Sequence, residues 1–208
     1  SMDENLKKRV VGETKFLRAL MYFNLVRVFG DVPLVLKETT DPAEGYNYDR
    51  AAVADVYAQI VKDLTEAEAS LPDRYTGADV GRATKGAAKS LLGKVYLTRK
   101  QYAEAATKLK EVIDGGIYDL LPNYADVFKA ANKNHKESIF EIQYKKGSIG
   151  EGNGLPNTYA PENSGNSVVQ FGGGGNNRPT ADFVNAYEAG DLRQNASMAT
   201  GYTNAQGV

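Results

Sequence analysis

The sequence predicts a mostly α-helical fold, built from helical hairpins that are joined by long irregular loops and completed by a minor strand. The main observation is the segment 86–116, GAAKSLLGKVYLTRKQYAEAATKLKEVIDGG, in which apolar residues recur three and four positions apart on both sides of a polar TRKQY turn. The second is the amount of polar, loop-forming sequence elsewhere, since the chain has 21 glycines. Together they favour two antiparallel helices within a larger helical core.

Small residues in this hairpin stand where two helices would touch closely. Leu92, Gly93, Tyr96, Ala105 and Leu109 have the relative spacing of the tetratricopeptide (TPR) pattern. An ordinary helical hairpin of another all-α core has the same periodicity, so both interpretations stay open at this point. Either one places the segment in the core.

Two further helices are predicted before this hairpin. Residues 3–29 carry apolar residues around more than one narrow stripe, which predicts a long helix that is buried on two sides. Residues 53–71 follow the spacing of an amphipathic helix, and Thr84 is the predicted N-cap of the third helix. The result is a TPR-like helical core over about residues 3–116, in which we expect two hairpins and no sheet.

The remainder, about residues 117–208, is predicted to be rich in loops, and we expect the whole chain to form one incomplete domain. Residues 138–144 alternate between apolar and polar side chains. This alternation predicts the minor strand, with Phe140, Ile142 and Tyr144 on its buried face.

Two loops and one short helix complete the prediction. Residues 31–50 form a connection much longer than a usual helix-to-helix turn, and residues 145–178 are interpreted as a flexible, glycine-rich loop. A helix is predicted from Thr180 to about Ala189, with Phe183, Val184 and Tyr187 turned inward.

The composition excludes several function classes. Lys and Arg number 25 against 26 Asp and Glu, a net charge of −1, so there is no global field to attract nucleic acid. No apolar run approaches the roughly 18 residues of a membrane-spanning helix. The chain has no cysteine, which removes disulfides and thiolate chemistry.

No catalytic or cofactor motif is found. His135 is the single histidine and lies in a polar turn without a glycine-flanked serine, so neither a catalytic triad nor a zinc site is predicted. The glycine run at residues 172–175 lacks the Lys-Ser/Thr of a phosphate loop. We therefore expect no cofactor and no metal.

A ligand site is predicted in the loop 147–178, because aromatic rings beside amide and guanidinium groups can bind a ligand that has apolar faces and polar edges. The leading candidates are Tyr159, Asn163, Phe171 and Arg178. Plain disorder of this loop is the alternative. Tyr46 and Tyr48 in the earlier loop compete for the same role, although both rings could instead pin that loop to the helices.

Five segments resemble one known family in the same order along the chain. They are GETKFLRALMYFNLVRVFGDVPLVLKET (residues 12–39) and the segments 55–72, 81–114, 136–144 and 179–193, the last ending in Asp-x-Arg. All five look like parts of the SusD-like, or RagB/SusD, family of outer-membrane nutrient-binding lipoproteins of Bacteroidetes.

The resemblance implies a TPR-like scaffold whose irregular loops bind an oligosaccharide, without catalysis. It also implies a place on the cell surface, with a SusC-like, TonB-dependent outer-membrane barrel as partner and no nucleic acid. Attachment to the membrane would need a lipid anchor, whose cysteine this chain does not contain. Because family members are much longer, we expect an internal fragment or a truncated relative.

The resemblance transfers no individual ligand-binding residue to this chain. The main alternative is a TPR scaffold that binds protein or peptide on its concave face and has no carbohydrate role. A helical glycosidase is a further alternative, although the sequence nominates no carboxylate pair.

Overall fold

The computed structural model describes residues 2–145, 150–162, 164–198 and 201–202. The chain divides into two compact units. Ser1–Leu120 with Asn134–Glu141 form the first, here called the helical unit, and Leu121–Lys133 with Ile142–Val208 form the second, called the loop-rich unit. The expectation of one domain over residues 1–208 stays a prediction.

The helical unit contains four long helices. They are α1 (Glu4–Phe29), α2 (Val53–Ser70), α3 (Lys85–Thr98) and α4 (Tyr102–Asp114). The Asp3 carboxylate begins α1 by accepting from the backbone N–H of Leu6 at 2.9 Å, and Thr84 caps α3 as predicted by accepting from the N–H of Ala87 at 3.1 Å. The predicted helices and the mostly α-helical, TPR-like fold class are confirmed. Among the described residues, no helix combines the length and the apolarity that crossing a bilayer requires.

The core of this unit lies between α1, α2 and α3. Its central side chains are at most 4% exposed: Phe16, Ala19, Phe23, Val26, Val56, Ile60, Leu64, Ala67, Ala87, Ala88, Leu92 and Val95. Between α3 and α4 the contact is close because Gly93 faces Leu109, and a Cβ on Gly93 would lie 2.8 Å from that side chain. The small residue of the TPR-like spacing thus falls at a helix contact, as predicted.

A buried ion pair joins α1 to α2. The Asp63 side chain is 1% exposed, and Arg18 donates to its two oxygens with Nε at 2.8 Å and Nη2 at 2.6 Å. Gln59 donates to the same carboxylate at 3.0 Å. The bidentate hydrogen bond to Asp63 raises the pKa of the Arg18 guanidinium. Because Arg18 also donates to the Leu36 carbonyl at 3.3 Å, it ties the long loop to the helices.

The helical unit contains a small sheet, so the prediction that this span has none is wrong. Strands β1 (Val32–Pro33) and β2 (Arg50–Ala51) pair antiparallel. The loop returns to its own start because the Arg50 guanidinium donates to the carbonyl of Asp31 at 2.7 Å and to that of Phe29 at 3.0 Å. A minor strand therefore exists, but at the two ends of the first loop.

Residues 138–144, all of which the structure describes, form no strand ladder, so the strand predicted there is wrong. Phe140 packs edge-to-face on Phe16 with ring centroids 4.9 Å apart. Ile142 and Tyr144, which alternate with it, are 64% and 42% exposed. Packing of Ile139 and Phe140 against the core, rather than a continuous buried face, helps to anchor this segment.

Helix α1 is buried on one side only, so the predicted burial on two sides is wrong. Its second apolar stripe is 38% to 73% exposed and comprises Leu6, Val10, Leu17, Met21 and Val28. The difference arises because the core residues of α1 all lie on the side that meets α2 and α3.

The loop-rich unit contains short helices. They are α5 (Leu155–Tyr159), α6 (Ala181–Asn185) and α7 (Arg193–Ser197), with 3-10 turns at Tyr124–Phe128, Ala130–Asn132 and Gly165–Ser167. The described part of residues 145–178 thus has local structure that the sequence did not predict.

Helix α6 begins after Thr180 as predicted but ends at Asn185 rather than near Ala189. The carbonyl of Val184 accepts from the side-chain amide of Gln194 at 3.1 Å, a partner from outside the helix, where a continuing helix would use a backbone N–H. Phe183 is 52% exposed, so its expected inward orientation is wrong, whereas Val184 and Tyr187 are partly buried.

Candidate functional site

The structure brings two of the predicted site residues into one cleft. Tyr159 and Arg178 both line it, and the cleft is called the Tyr159 cleft below. Phe171 belongs to the same unit but not to the lining of this cleft. Asn163 lies outside the described residues. The nominated loop therefore contributes a ring and a guanidinium to one cleft.

The two earlier tyrosines belong to the helical unit. Tyr46 lies in a 3-10 turn, Pro42–Asn47, and is 91% exposed, so the interpretation that its ring pins the loop is wrong. Tyr48 is partly buried. The loop is instead fixed by Tyr22, whose hydroxyl accepts from the N–H of Val35 at 2.7 Å and donates to its carbonyl at 3.1 Å.

The glycine run 172–175 packs beside α5, and its last residue, Gly175, lines the Tyr159 cleft. The N–H of Gly174 donates to the carbonyl of Asn157 at 2.7 Å. A Cβ on Gly173 would lie 2.3 Å from the carbonyl oxygen of Ala160, a separation that backbone atoms cannot accommodate. Glycine is therefore required here by close backbone approach, which gives this part of the loop a defined course.

The Tyr159 cleft has a volume of about 700 Å³. Small-molecule sites commonly have volumes of roughly 300–1,000 Å³, so a sugar of several rings is compatible with its size. Its lining residues are Tyr159, Pro161, Glu162, Gly175, Asn177, Arg178, Pro179, Ser197, Met198 and Tyr202. Tyr159 is 55% exposed and Tyr202 is 41% exposed, so both rings are accessible to a ligand.

A salt bridge contributes to the polar lining of the cleft. Arg178 Nη2 lies 3.3 Å from a Glu162 carboxylate oxygen, and these side chains are 71% and 63% exposed. The Tyr202 hydroxyl donates to the Glu162 carbonyl at 2.8 Å. An exposed pair of this kind contributes only about 0–1 kcal/mol to stability. The guanidinium and the carboxylate can therefore give up their mutual contact and bind the hydroxyls of a ligand, with little loss in the free energy of unfolding.

Phe171 lies at an exposed turn of the same unit. Its φ of +72° is in the left-handed region, which is unusual for a bulky residue, and its side chain is 89% exposed. The N–H of Phe171 donates to the side-chain oxygen of Asn166 at 2.8 Å, which holds this conformation. The ring is thus presented to solvent by a specific backbone contact.

Two residues of the cleft were missed by the sequence reasoning. Glu162 was not nominated because nothing in the sequence pairs it with Arg178, which is 16 positions later. Tyr202 lies in a segment for which no structure was predicted. Its only signal is that it is the one aromatic residue after Tyr187.

Metal-binding residues do not cluster in the part of the chain that the structure describes: no group of three or more His, Asp or Glu side chains comes together there. His135 is in the helical unit, where its Nδ1 accepts from the backbone N–H of Glu137 at 3.2 Å. Its position agrees with the polar turn inferred from the sequence.

Comparison with known proteins places these observations in a family. The SusD-like family model described as "Starch-binding associating with outer membrane" matches residues 1–97. A SusD-like protein of Bacteroides ovatus is 32% identical over an alignment of 158 residues, and the alignment covers 69% of this chain and 28% of that protein.

Solved structures give the same result. A laminarin-binding SusD-like protein is 39% identical and superposes with a TM-score of 0.70, over 77% of this chain and 38% of the other. A SusD superfamily protein from Parabacteroides distasonis is 33% identical with a TM-score of 0.77, over 93% and 42% of the two chains. The chain therefore belongs to the SusD-like family, and it spans less than half the length of each of these relatives.

Proposed function

We propose that this chain binds an oligosaccharide for nutrient uptake and that the Tyr159 cleft is the binding site. The observation that carries the proposal is the meeting of Tyr159 and Arg178 in one accessible cleft, with Glu162 and Tyr202 beside them. A sugar ring has an apolar face fringed by hydroxyls. The cleft offers aromatic faces for the first, and guanidinium, carboxylate and phenol groups for the second.

The relatives support this class of ligand and suggest a first probe. The SusD-like protein that is 39% identical is described as binding laminarin, and the matching family model is described as starch-binding. Glucan oligosaccharides are therefore the first ligands to test. The proposal is binding without turnover, so incubation with a bound oligosaccharide should yield no shorter product by chromatography.

We further propose that the protein acts at the outer surface of a Gram-negative cell, attached through a lipid anchor and in complex with a SusC-like, TonB-dependent barrel. The description of the family model as associating with the outer membrane supports the location. Co-purification of a TonB-dependent barrel with the native protein from detergent-solubilised membranes tests the complex. Labelling of intact cells with an antibody tests the location.

Titration calorimetry with laminari-oligosaccharides, and with a wider panel of plant, host and microbial oligosaccharides, tests the site. Tyr159→Ala is expected to weaken binding about tenfold, equivalent to about 1.4 kcal/mol, because a stacking surface is lost. The unfolding midpoint should stay unchanged because Tyr159 is 55% exposed.

Tyr46→Ala is the matched control, since it removes an exposed tyrosine ring from the helical unit and should leave the affinity unchanged. If Tyr46→Ala weakens binding and Tyr159→Ala does not, the site lies in the first loop and the proposal for the Tyr159 cleft fails.

A further inference from the structure

A second aromatic cleft lies in the loop-rich unit and has a volume of about 400 Å³. It is called the Phe183 cleft, and its lining residues are Tyr124, Phe183, Ala186, Tyr187, Glu188, Asp191, Arg193 and Ser197. Three of these eight are aromatic. None of the residues nominated from the sequence lines it.

The rings of this cleft are accessible. Phe183 is 52% exposed and Tyr124 is 39% exposed. Phe183 packs edge-to-face on Tyr187 with centroids 5.7 Å apart, and Tyr124 does so on Phe128 at 5.2 Å. Edge-to-face packing on a second ring restricts the orientation of each exposed ring, so that each can present one face to a ligand.

An ion pair between Arg193 and Asp191 lies beside the rings. Arg193 donates to the Asp191 carboxylate with Nε at 2.9 Å and with Nη2 at 2.6 Å, and its backbone N–H donates to the same carboxylate at 2.9 Å. These bonds fix the guanidinium plane while its Nη1 group has no hydrogen-bond partner among the described residues. Arg193 therefore presents oriented donors to the cleft.

Helix α7 connects the two clefts. Its first residue, Arg193, lines the Phe183 cleft, Ser197 lines both clefts, and Met198 directly after the helix lines the Tyr159 cleft. The helix has 5 residues and is about 7.5 Å long. Two stacking surfaces separated by so short an element can contact different sugar units of one chain.

We propose that the two clefts form one extended oligosaccharide site, in which Phe183 and Tyr124 are the stacking surface of a second subsite. This inference rests on the function proposed for the Tyr159 cleft. It adds that the ligand is a chain of several sugars running past α7, so affinity grows with the length of the oligosaccharide.

Calorimetry with laminari-oligosaccharides from the disaccharide to the hexasaccharide tests the second subsite. The hexasaccharide should bind the parent chain more tightly than the disaccharide does. Phe183→Ala is expected to remove most of this gain, with about a tenfold loss for the hexasaccharide. Tyr159→Ala should weaken the hexasaccharide as well.

Phe183→Leu separates stacking from packing. Leucine keeps an apolar side chain on α6 but has no flat ring, so this variant should fold like the parent, by circular dichroism, and bind like Phe183→Ala. If Phe183→Leu restores parental affinity, the ring acts only in packing and the second subsite is refuted.

The remaining outcomes distinguish the two proposals. A loss in Tyr159→Ala, together with a length-dependent gain that persists in Phe183→Ala, refutes the second subsite and leaves the proposed function standing. Absence of binding by the parent chain across the whole panel refutes both.

Discussion

The helical unit and the loop-rich unit are ordered by different forces. Every residue of the buried apolar cluster belongs to the helical unit, where side chains of α1, α2 and α3 meet. Among the described residues of the loop-rich unit, only Ala160 and Ser164 are buried. That unit is held instead by backbone hydrogen bonds, such as Gly174 to Asn157, and by side-chain caps.

This difference has a practical consequence for mutagenesis. Where apolar burial supplies the stability, removing or charging a core side chain should unfold the unit. Where backbone contacts supply the order, the sensitive positions are glycines at close approach, and aromatic side chains are left available for a ligand. Variants in each unit can therefore confirm or refute the comparison.

Leu92→Asp should have the largest effect. Leu92 is 1% exposed, so the variant forces a carboxylate into the core, and we expect a loss of about 4 kcal/mol in the free energy of unfolding. Denaturant unfolding followed by circular dichroism measures it. Leu97→Asp is the matched control on α3, because Leu97 is 51% exposed, and should cost less than about 1 kcal/mol. Equal midpoints for the two variants would contradict the core position of Leu92.

Arg18→Met should come next, with a loss of about 3 kcal/mol, because it leaves the buried Asp63 carboxylate without its charged partner. The same unfolding experiment measures it. Lys7→Met is the control, since Lys7 and Glu4 form an exposed pair at 3.7 Å whose loss should be within about 0.5 kcal/mol of zero. A small effect of Arg18→Met would mean that Gln59 and solvent satisfy the Asp63 carboxylate.

Gly173→Ala tests the loop-rich unit. The new Cβ would meet the Ala160 carbonyl at 2.3 Å, so the glycine run must move, at a local cost of about 2 kcal/mol. The expected result is faster hydrogen exchange at the N–H of Gly174. Exchange in the helical unit should be unaffected. Gly152→Ala is the control, because no atom of the described residues lies within 4 Å of its Cβ position. Unchanged exchange in Gly173→Ala would show that the run does not depend on this approach.

The sequence predicts the part of the fold in which apolar residues repeat with the period of a helix. Leu92 and Thr84 could be placed correctly because helical burial and N-capping depend on neighbours within one or two turns. The pairing of Val32–Pro33 with Arg50–Ala51 could not, because two residues on each side leave no alternating pattern.

The candidate site was predictable only as a region. Tyr159 and Arg178 were nominated by chemistry, and the structure places both in one cleft. Glu162 and Tyr202 complete that cleft through contacts that depend on the path of the backbone, including the course of the glycine run. Side-chain chemistry in sequence order carries no information about that path.

Asp191 gives the smallest expected effect and tests a contact of the loop-rich unit that is local in sequence. The Arg193 guanidinium, which donates to the carboxylate, lowers the pKa of Asp191 to about 2. The pKa of an aspartate in the unfolded chain is about 3.9, so this contact stabilises the folded state fully above about pH 4. The stabilisation is lost as the pH falls through about 2, because protonation removes the charged acceptor.

A carbon-detected NMR titration of the Asp191 carboxyl should show the low midpoint in the parent and a midpoint close to the unfolded value in Arg193→Gln. Arg178→Gln, which removes the guanidinium of the Tyr159 cleft, should leave the Asp191 midpoint where it is in the parent. If the Asp191 midpoint in Arg193→Gln equals that of the parent, the Arg193 guanidinium does not hold this carboxylate. The oriented donors of the Phe183 cleft would then have to come from another group.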